Sequence, residues 1–393
     1  MRIRSLEIRE IFATNSEKTI EVELKTDKTT VRTAVPLGSS RSRYEVKYFP
    51  AKEAINKFLL MRRHVTSENL ENQNDVDELL HIIDNTSDFH EIGGNVMLAV
   101  SSACLKAFAA QQDEEIFEYI AKENKLKPQM PRPLCNIVGG WKTSGSSDIQ
   151  EFLFVPVHQD SFRDTMNKMA DAYFAVGKRL RIEDPTFSYS KNIESAWNTN
   201  LKTEEILDIM TKVANEHLLK IGIDCAASQL WDGNQYYVYN YSAKILGTSQ
   251  QITYMSELAR KYPIIYLEDP LKDDDFTGFS VLTHMLQSRL VCGDDLFASS
   301  AERLKSGIDF KAASAIIIKP NQVGTITDAI NTVKLAKENG IAVVVSHRSS
   351  ETEDPLIAHF AVGVGANYCK FGISGDRVIK INEMLRIEEK LGK

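Results

Sequence analysis

Six apolar, strand-like segments in the second half of this 393-residue chain each finish in one ionisable residue. Ile221-Gly222-Ile223 ends in Asp224, Ile264 to Leu267 in Glu268, and Leu290 to Gly293 in Asp294. Ile316 to Ile318 ends in Lys319, Val343 to Ser346 in His347, and Tyr368-Cys369 in Lys370. These ends fall 44, 26, 25, 28 and 23 positions apart, from 224 through 268, 294, 319 and 347 to 370. Runs rich in β-branched residues that stop abruptly at a polar group read as parallel strands buried on both faces. The last four intervals each leave room for one helix, so the repeating unit is strand plus helix. Functional groups in a β/α barrel sit at the C-terminal ends of its strands. The segments therefore predict an enzyme built on such a barrel.

Upstream, Ile3, Ser5 to Ile11, Thr19 to Leu24 and Thr30 to Val35 alternate in strand fashion. A Gly/Ser-rich loop, Leu37 to Ser42, comes next. Helical periodicity then appears over Ala51 to Phe58, around Val76 to Ile83, and from Gly94 to Ala110. This order predicts an α/β protein with a small N-terminal α+β domain, residues 1–129, ahead of a (β/α)8 TIM barrel, residues 130–393. Pro128, Pro131 and Pro133 punctuate the junction. A net charge of −7 argues against nucleic acid or an acidic membrane surface as the main partner. No apolar run approaches the ~20 residues needed to span a bilayer, and the N-terminus lacks a signal-like apolar core. The five cysteines are scattered and show no CxxC spacing, as expected of inert core thiols in a reducing compartment. A cytoplasmic protein without a membrane anchor is the expectation.

Asp224, Glu268 and Asp294 offer hard carboxylate oxygens from neighbouring strand ends, a donor set that suits Mg²⁺ rather than zinc. Any one of them alone would read as a surface ion pair. Lys319, desolvated beside a cation, is expected to be driven towards its neutral form and to serve as general base. Arg348, next to His347, presents a planar fork for phosphate or carboxylate, and Lys370 adds a point charge. The expected ligand is a small acid with at least two anionic groups. A second Glu-Asp-Pro at Glu183-Asp184-Pro185 follows no apolar strand, so Glu183 is read as a loop residue and not a ligand.

The chain resembles the enolase family nearly end to end. The resemblance is carried by Gly222 to Ser228, Leu267-Glu-Asp-Pro270, Asp294-Asp-Leu296, Lys319 to Thr325 and Ser346 to Asp354. Gln150 to Pro156, Gly93 to Ser101 and Leu385 to Glu389 add to it. Enolase-superfamily sites are known for a Lys or His base working with bound Mg²⁺. The resemblance implies a carbon–oxygen lyase converting 2-phosphoglycerate to phosphoenolpyruvate and water, with two Mg²⁺ per site. It implies Asp224, Glu268 and Asp294 as ligands of the tighter Mg²⁺, and Ser40 as the loop serine closing over the second. Lys319 is implied as the base at C2, and Glu194 as the acid that protonates the departing C3 hydroxyl. Arg348 and Ser349 are implied at the phosphate, with His347 in the same motif. Lys370 is implied at the carboxylate, and Gln150 and Glu151 in the inner polar shell. A homodimer is implied in the same way.

The sequence departs from the family pattern at four loops. Leu37 to Ser42 gains Arg41, with Arg43 just beyond, and Thr14 to Thr19 loses an Arg. Lys142 stands where the family places a His. Asn192-Ile-Glu194-Ser-Ala196 replaces Gly-Asp-Glu-Gly-Gly around the acid. Drift in an ordinary enolase is one explanation. A paralogue dehydrating a phosphonate analogue of 2-phosphoglycerate is a second, because Lys142 and Arg41 add cations. A catalytically silent binding protein is the third, and the intact Lys319, Glu194 and carboxylates argue against it.

Overall fold

The computed structural model describes residues 1–38, 41–139, 147–158 and 160–392. Ser40 and Lys142 therefore lie outside the described residues.

The alternating N-terminal segments form an antiparallel meander of β1 (Ile3–Phe12), β2 (Lys18–Thr26) and β3 (Thr30–Ala34). Four helices follow: α1 (Ala51–Ser67), α2 (Gln73–Ile83), α3 (Gly94–Gln111) and α4 (Ile116–Asn124). Small and apolar residues surround α3 on every side, so it is buried along most of its length. It packs against β2, β3, α2 and α4 and reaches the barrel helix between Ile326 and Glu338.

The second sheet contains β4 (Arg132–Pro133), β5 (Cys135–Gly139), β6 (Glu151–Pro156) and, after α5 (Phe162–Glu183) and α6 (Thr203–Glu216), β7 (Leu219–Asp224). A β8–β9 hairpin (Tyr236–Tyr239, Lys244–Gly247) precedes α7 (Thr248–Lys261). Strand and helix then alternate through β10 (Ile264–Glu268), α8 (Phe276–Met285), β11 (Leu290–Gly293), α9 (Ala301–Phe310) and β12 (Ala315–Ile318). They continue through α10 (Ile326–Glu338), β13 (Ala342–Ser346), α11 (Leu356–Gly363), β14 (Tyr368–Lys370) and α12 (Val378–Leu391). The strand order is β4-β14-β13-β12-β11-β10-β7-β6-β5. Only Leu134 separates β4 from β5. The stretch 132–139 thus pairs with β14 on one side and β6 on the other, closing an eight-membered ring.

One strand breaks the parallel pattern. β6 runs antiparallel to both β5 and β7, and its first residue, Glu151, pairs in register with Asp224, the last residue of β7. Alternation along the strands fills the lumen with Leu134, Leu153, Val155, Tyr266, Cys292, Ala315, Ile317 and Val344. Neighbouring residues such as Ile316, Ile318, Val343 and Val345 face the helices instead. All five cysteines are buried and free, matching the expectation of core thiols. Glu183 is not in a loop as read from the sequence: it is the last residue of α5, because the helix runs on to its cap at Asp184, and it is exposed to solvent away from the cavity.

Candidate active site

The C-terminal strand ends surround a cavity of about 220 Å³. Asp224, Asp294, Lys319, His347 and Lys370 line it, as do Gln150, Glu151, Glu194, Arg348 and Ser349. Glu268 is placed differently. It is fully buried beneath the cavity, where its Oε1 accepts Lys370 Nζ at 2.9 Å and its Oε2 accepts the lumenal Tyr266 hydroxyl at 2.6 Å.

Lys370 is the electrostatic hub. Its Nζ lies 2.8 Å from Glu151 Oε2, 2.9 Å from Asp224 Oδ2 and 2.9 Å from Glu268 Oε1. Burial would lower the Lys370 pKa, but Asp224, Glu151 and Glu268 outweigh it and hold the ammonium well above the ordinary lysine range. Gln150 Nε2 donates to the same Asp224 oxygen at 3.3 Å. Burial first, and Asp224 second, push the Glu268 carboxyl up to about 8.

Lys319 is held by an ion pair. Burial does lower its pKa, yet its Nζ forms a short ion pair with Asp294 Oδ2, and that carboxylate carries the net shift upward. The ammonium form is favoured in this pairing. Asp294 is held below the usual carboxylate range, because Lys319 outweighs the effect of burial.

On the far side of the ring Glu194 meets Glu151. Burial raises both carboxyls, but they share a hydrogen bond that lowers Glu194 and raises Glu151. The two carboxyls titrate as one unit. Asn136 Nδ2, from β5, donates to Glu194 Oε2 at 3.2 Å. The loop carrying Glu194 is held by side-chain contacts rather than by glycines. Asn192 Oδ1 accepts the amides of Glu194 and Ala196 at 3.0 Å each. Ser195 takes the left-handed conformation (φ 63°) next to Glu194. Its carbonyl accepts the hydroxyls of Tyr173 (3.0 Å) and Ser374 (2.9 Å).

Burial and then Arg377 push His347 well below its ordinary pKa, so the ring is neutral. Arg377, itself fully buried, donates to the carbonyls of Arg348 (3.0 Å) and Ser349 (2.7 Å), fixing the backbone there.

Asp269, Asp295, Gln322 and Glu45 are among the lining residues that carried no sequence expectation. Asp269 accepts the amides of Asp294 (3.0 Å) and Asp295 (2.8 Å), which orients the strand end. Its backbone is left-handed (φ 39°), and the Asp-Pro dipeptide was the available sequence hint of a special turn. Asp269, Asp294 and Asp295 bring ligand oxygens within 4.8 Å of one another. Gln322 follows Lys319 in a single helical turn (Pro320–Gln322) and donates to Asp294 Oδ1 at 3.2 Å. Glu45 arrives from the small domain, far from any strand end, and no spacing rule could have found it.

The ring ends define the class: a β/α-barrel protein whose cavity combines a lysine, a carboxyl pair and buried oxygen donors. Comparison with known sequences agrees. A family model described as "Enolase, N-terminal domain" matches residues 3–120, and one described as "Enolase, C-terminal TIM barrel domain" matches residues 127–393. The chain is 36% identical to an enolase of Archaeoglobus fulgidus over 409 residues, covering 100% of this chain and 98% of the relative. It is 37% identical to an enolase of Natronomonas pharaonis over 398 residues, covering 98% of each. An enolase of Pyrobaculum aerophilum is 35% identical over 414 residues, covering 100% of this chain and 98% of the relative. The chain belongs to the enolase family and is an enolase-type hydro-lyase. Among the described residues no helix is long and apolar enough to cross a membrane.

Proposed function

We propose that this protein dehydrates 2-phosphoglycerate to phosphoenolpyruvate and water. The observation that carries the reading is the placement of base and acid across the ring. Lys319 follows β12, whereas Glu194 is held by Asn136 of β5 and Glu151 of β6, and β6 lies four places from β12 in either direction. Groups on opposite sides of a small substrate suit elimination in which proton and hydroxyl depart from opposite faces.

In this reading Lys319, once neutral, takes the proton from C2. The electron pair of that C–H bond becomes the C2–C3 double bond, and the C3–O bond breaks. The Glu151–Glu194 pair delivers a proton to the departing oxygen, which leaves as water. Arg348, with Ser349, holds the phosphate, and Lys370 stands at the carboxylate. His347, being neutral, serves as a hydrogen-bonding wall.

The donor set fits a divalent cation: buried carboxylates facing the cavity, with no thiol and only a neutral imidazole. Asp224 and Asp294 would hold Mg²⁺, and Glu268, bonded here to Lys370, is the proposed third ligand. Bound there, Mg²⁺ would polarise the substrate carboxylate and make the C2 proton more acidic. The small acid is thus the partner, and two ions per site are proposed.

The phosphonate reading gains nothing from the added arginines. Arg41 sits over the Tyr48 ring at 4.9 Å, and Arg43 pairs with Asp273 (3.2 Å) and Asp274 (3.1 Å). Neither lines the cavity, whose described cations are Lys319, Arg348 and Lys370. The test is ultraviolet absorbance of enol product from 2-phosphoglycerate with Mg²⁺, beside C2 proton exchange in deuterated buffer. Lys319→Ala should abolish both while leaving Mg²⁺ binding largely intact. Exchange that survives the substitution removes Lys319 as the base.

A further inference from the structure

We propose that Glu45, supplied by the small domain, is a positioning residue that sets the plane of the Arg348 guanidinium and links it to Asp294. The inference rests on the reading of Arg348 as the anion-binding group. Glu45 Oε2 lies 3.0 Å from Arg348 Nη1, and the two side chains are 4% and 5% exposed. Its other oxygen accepts the Ser42 amide at 3.1 Å and faces Gln322 Nε2 at 3.4 Å. Gln322 Nε2 also reaches Asp294 Oδ1 at 3.2 Å, and its Oε1 accepts Ser299, whose hydroxyl also accepts the Lys319 amide at 2.8 Å. One carboxylate therefore touches the loop that carries it, the anion-binding arginine, and the glutamine that steers a carboxylate beside the base.

The packing around Arg348 confirms how tightly it is held. A Cβ added to Gly38 would lie 1.7 Å from Arg348 Nη2, so the loop backbone presses directly on the guanidinium. Backbone bonds between Leu37 and Ser350, at 2.8 and 3.1 Å, seat the same loop on the barrel. Arginine recognises phosphate through a planar fork, and its orientation decides whether two parallel bonds can form. Glu45 engages one edge of that fork and leaves its orientation fixed before an anion arrives. This lowers the ordering cost of binding.

The proposal makes a prediction opposite to that of simple electrostatics. A carboxylate beside an anion site repels the anion, so through-space reasoning says that Glu45→Gln should tighten binding. If Glu45 positions the fork, Glu45→Gln should weaken inorganic phosphate binding, measured by calorimetry, at least fivefold. It should also raise KM for 2-phosphoglycerate more than it lowers kcat. Glu45→Asp keeps the charge but is one methylene short, so it should fall between wild type and Glu45→Gln. Melting temperatures of both variants check that the chain folds. Phosphate binding that is unchanged or tightened in a folded Glu45→Gln protein overturns the proposal. So does Glu45→Asp behaving like wild type while Glu45→Gln does not, because charge alone would then suffice. Arg348→Ala separates the two levels. If phosphate binding survives it, the assignment of Arg348 fails and takes the proposal with it. If binding is lost there but untouched in Glu45→Gln, only the role of Glu45 fails.

Discussion

Asp184, in the second Glu-Asp-Pro, staples the loop that carries the proposed acid, and its removal should be costly. Its Oδ1 accepts the amide (2.9 Å) and hydroxyl of Thr186, and its Oδ2 accepts the Thr199 hydroxyl (2.8 Å) and Asn200 amide (2.9 Å). The two ends of the loop around Glu194 are thereby tied to the last turn of α5. Burial raises this carboxyl, but the Thr186, Asn200 and Thr199 donors outweigh it and hold it at about 2. Against an unfolded value of about 3.9, that is a depression of roughly two units, or ~2.6 kcal/mol at ~1.36 kcal/mol per unit. Solvent near the loop screens part of this, leaving about 1–2 kcal/mol. Because the folded pKa is depressed, this stability is fully present above about pH 4 and disappears as pH falls through about 2. Asp184→Asn keeps one acceptor and should cost about 1–2 kcal/mol at pH 7, whereas Asp184→Ala strands four donors and should cost about 3 kcal/mol. Urea denaturation at pH 7 and at pH 3 measures both. The slack loop should also lower kcat for 2-phosphoglycerate more than it changes KM. An Asp184→Ala protein as stable as wild type at pH 7, with kcat unchanged, would refute the staple.

Two further outcomes follow from the loops and the domain junction. Ser195→Gly should be neutral within about 0.5 kcal/mol in denaturant titration, since relief of the left-handed strain offsets the added freedom of the unfolded chain. Ser195→Val should cost about 2 kcal/mol and depress kcat. A Val variant as active and stable as wild type would show that the backbone there can relax. Lys106, on α3, forms an ion pair with Asp354, which also accepts the Thr33 hydroxyl (2.8 Å) and Ala34 amide (3.0 Å). Lys106→Met should cost about 2–3 kcal/mol by leaving a buried carboxylate short of its cation. Thermal unfolding with the midpoint unshifted would count against that estimate.

The barrel was legible because its strands are apolar on both faces and stop at polar residues. Asp224, Asp294, Lys319, His347 and Lys370 all reach the cavity from such ends, and β7 and β10 to β14 fall where the pattern puts them. Glu268 shows the limit of that logic. It ends β10 as expected, yet one oxygen meets Lys370 at the cavity and the other the lumenal Tyr266 hydroxyl, a division that sequence spacing cannot specify. The ion pair of Lys319 with Asp294 joins the ends of the neighbouring strands β11 and β12, a contact that spacing alone does not reveal. Gln150 and Glu151 escaped the strand-end rule because β6 is reversed and brings its start, not its end, to the cavity; only the family motif placed them. Glu45 and Arg377 come from elements outside the barrel strands, so their roles exist only in three dimensions.

The reversed β6 has a consequence for how this site could be lost. Glu151, Leu153 and Val155 share one face of the strand, with Phe152 and Phe154 on the other. Deleting a single residue within that ladder would swap the faces and replace the carboxyl partner of Glu194 with an aromatic plug. The fold could survive such a slip with its composition nearly unchanged and its chemistry extinguished. Insertions and deletions should therefore be purged from this one short strand more harshly than from any helix around the ring.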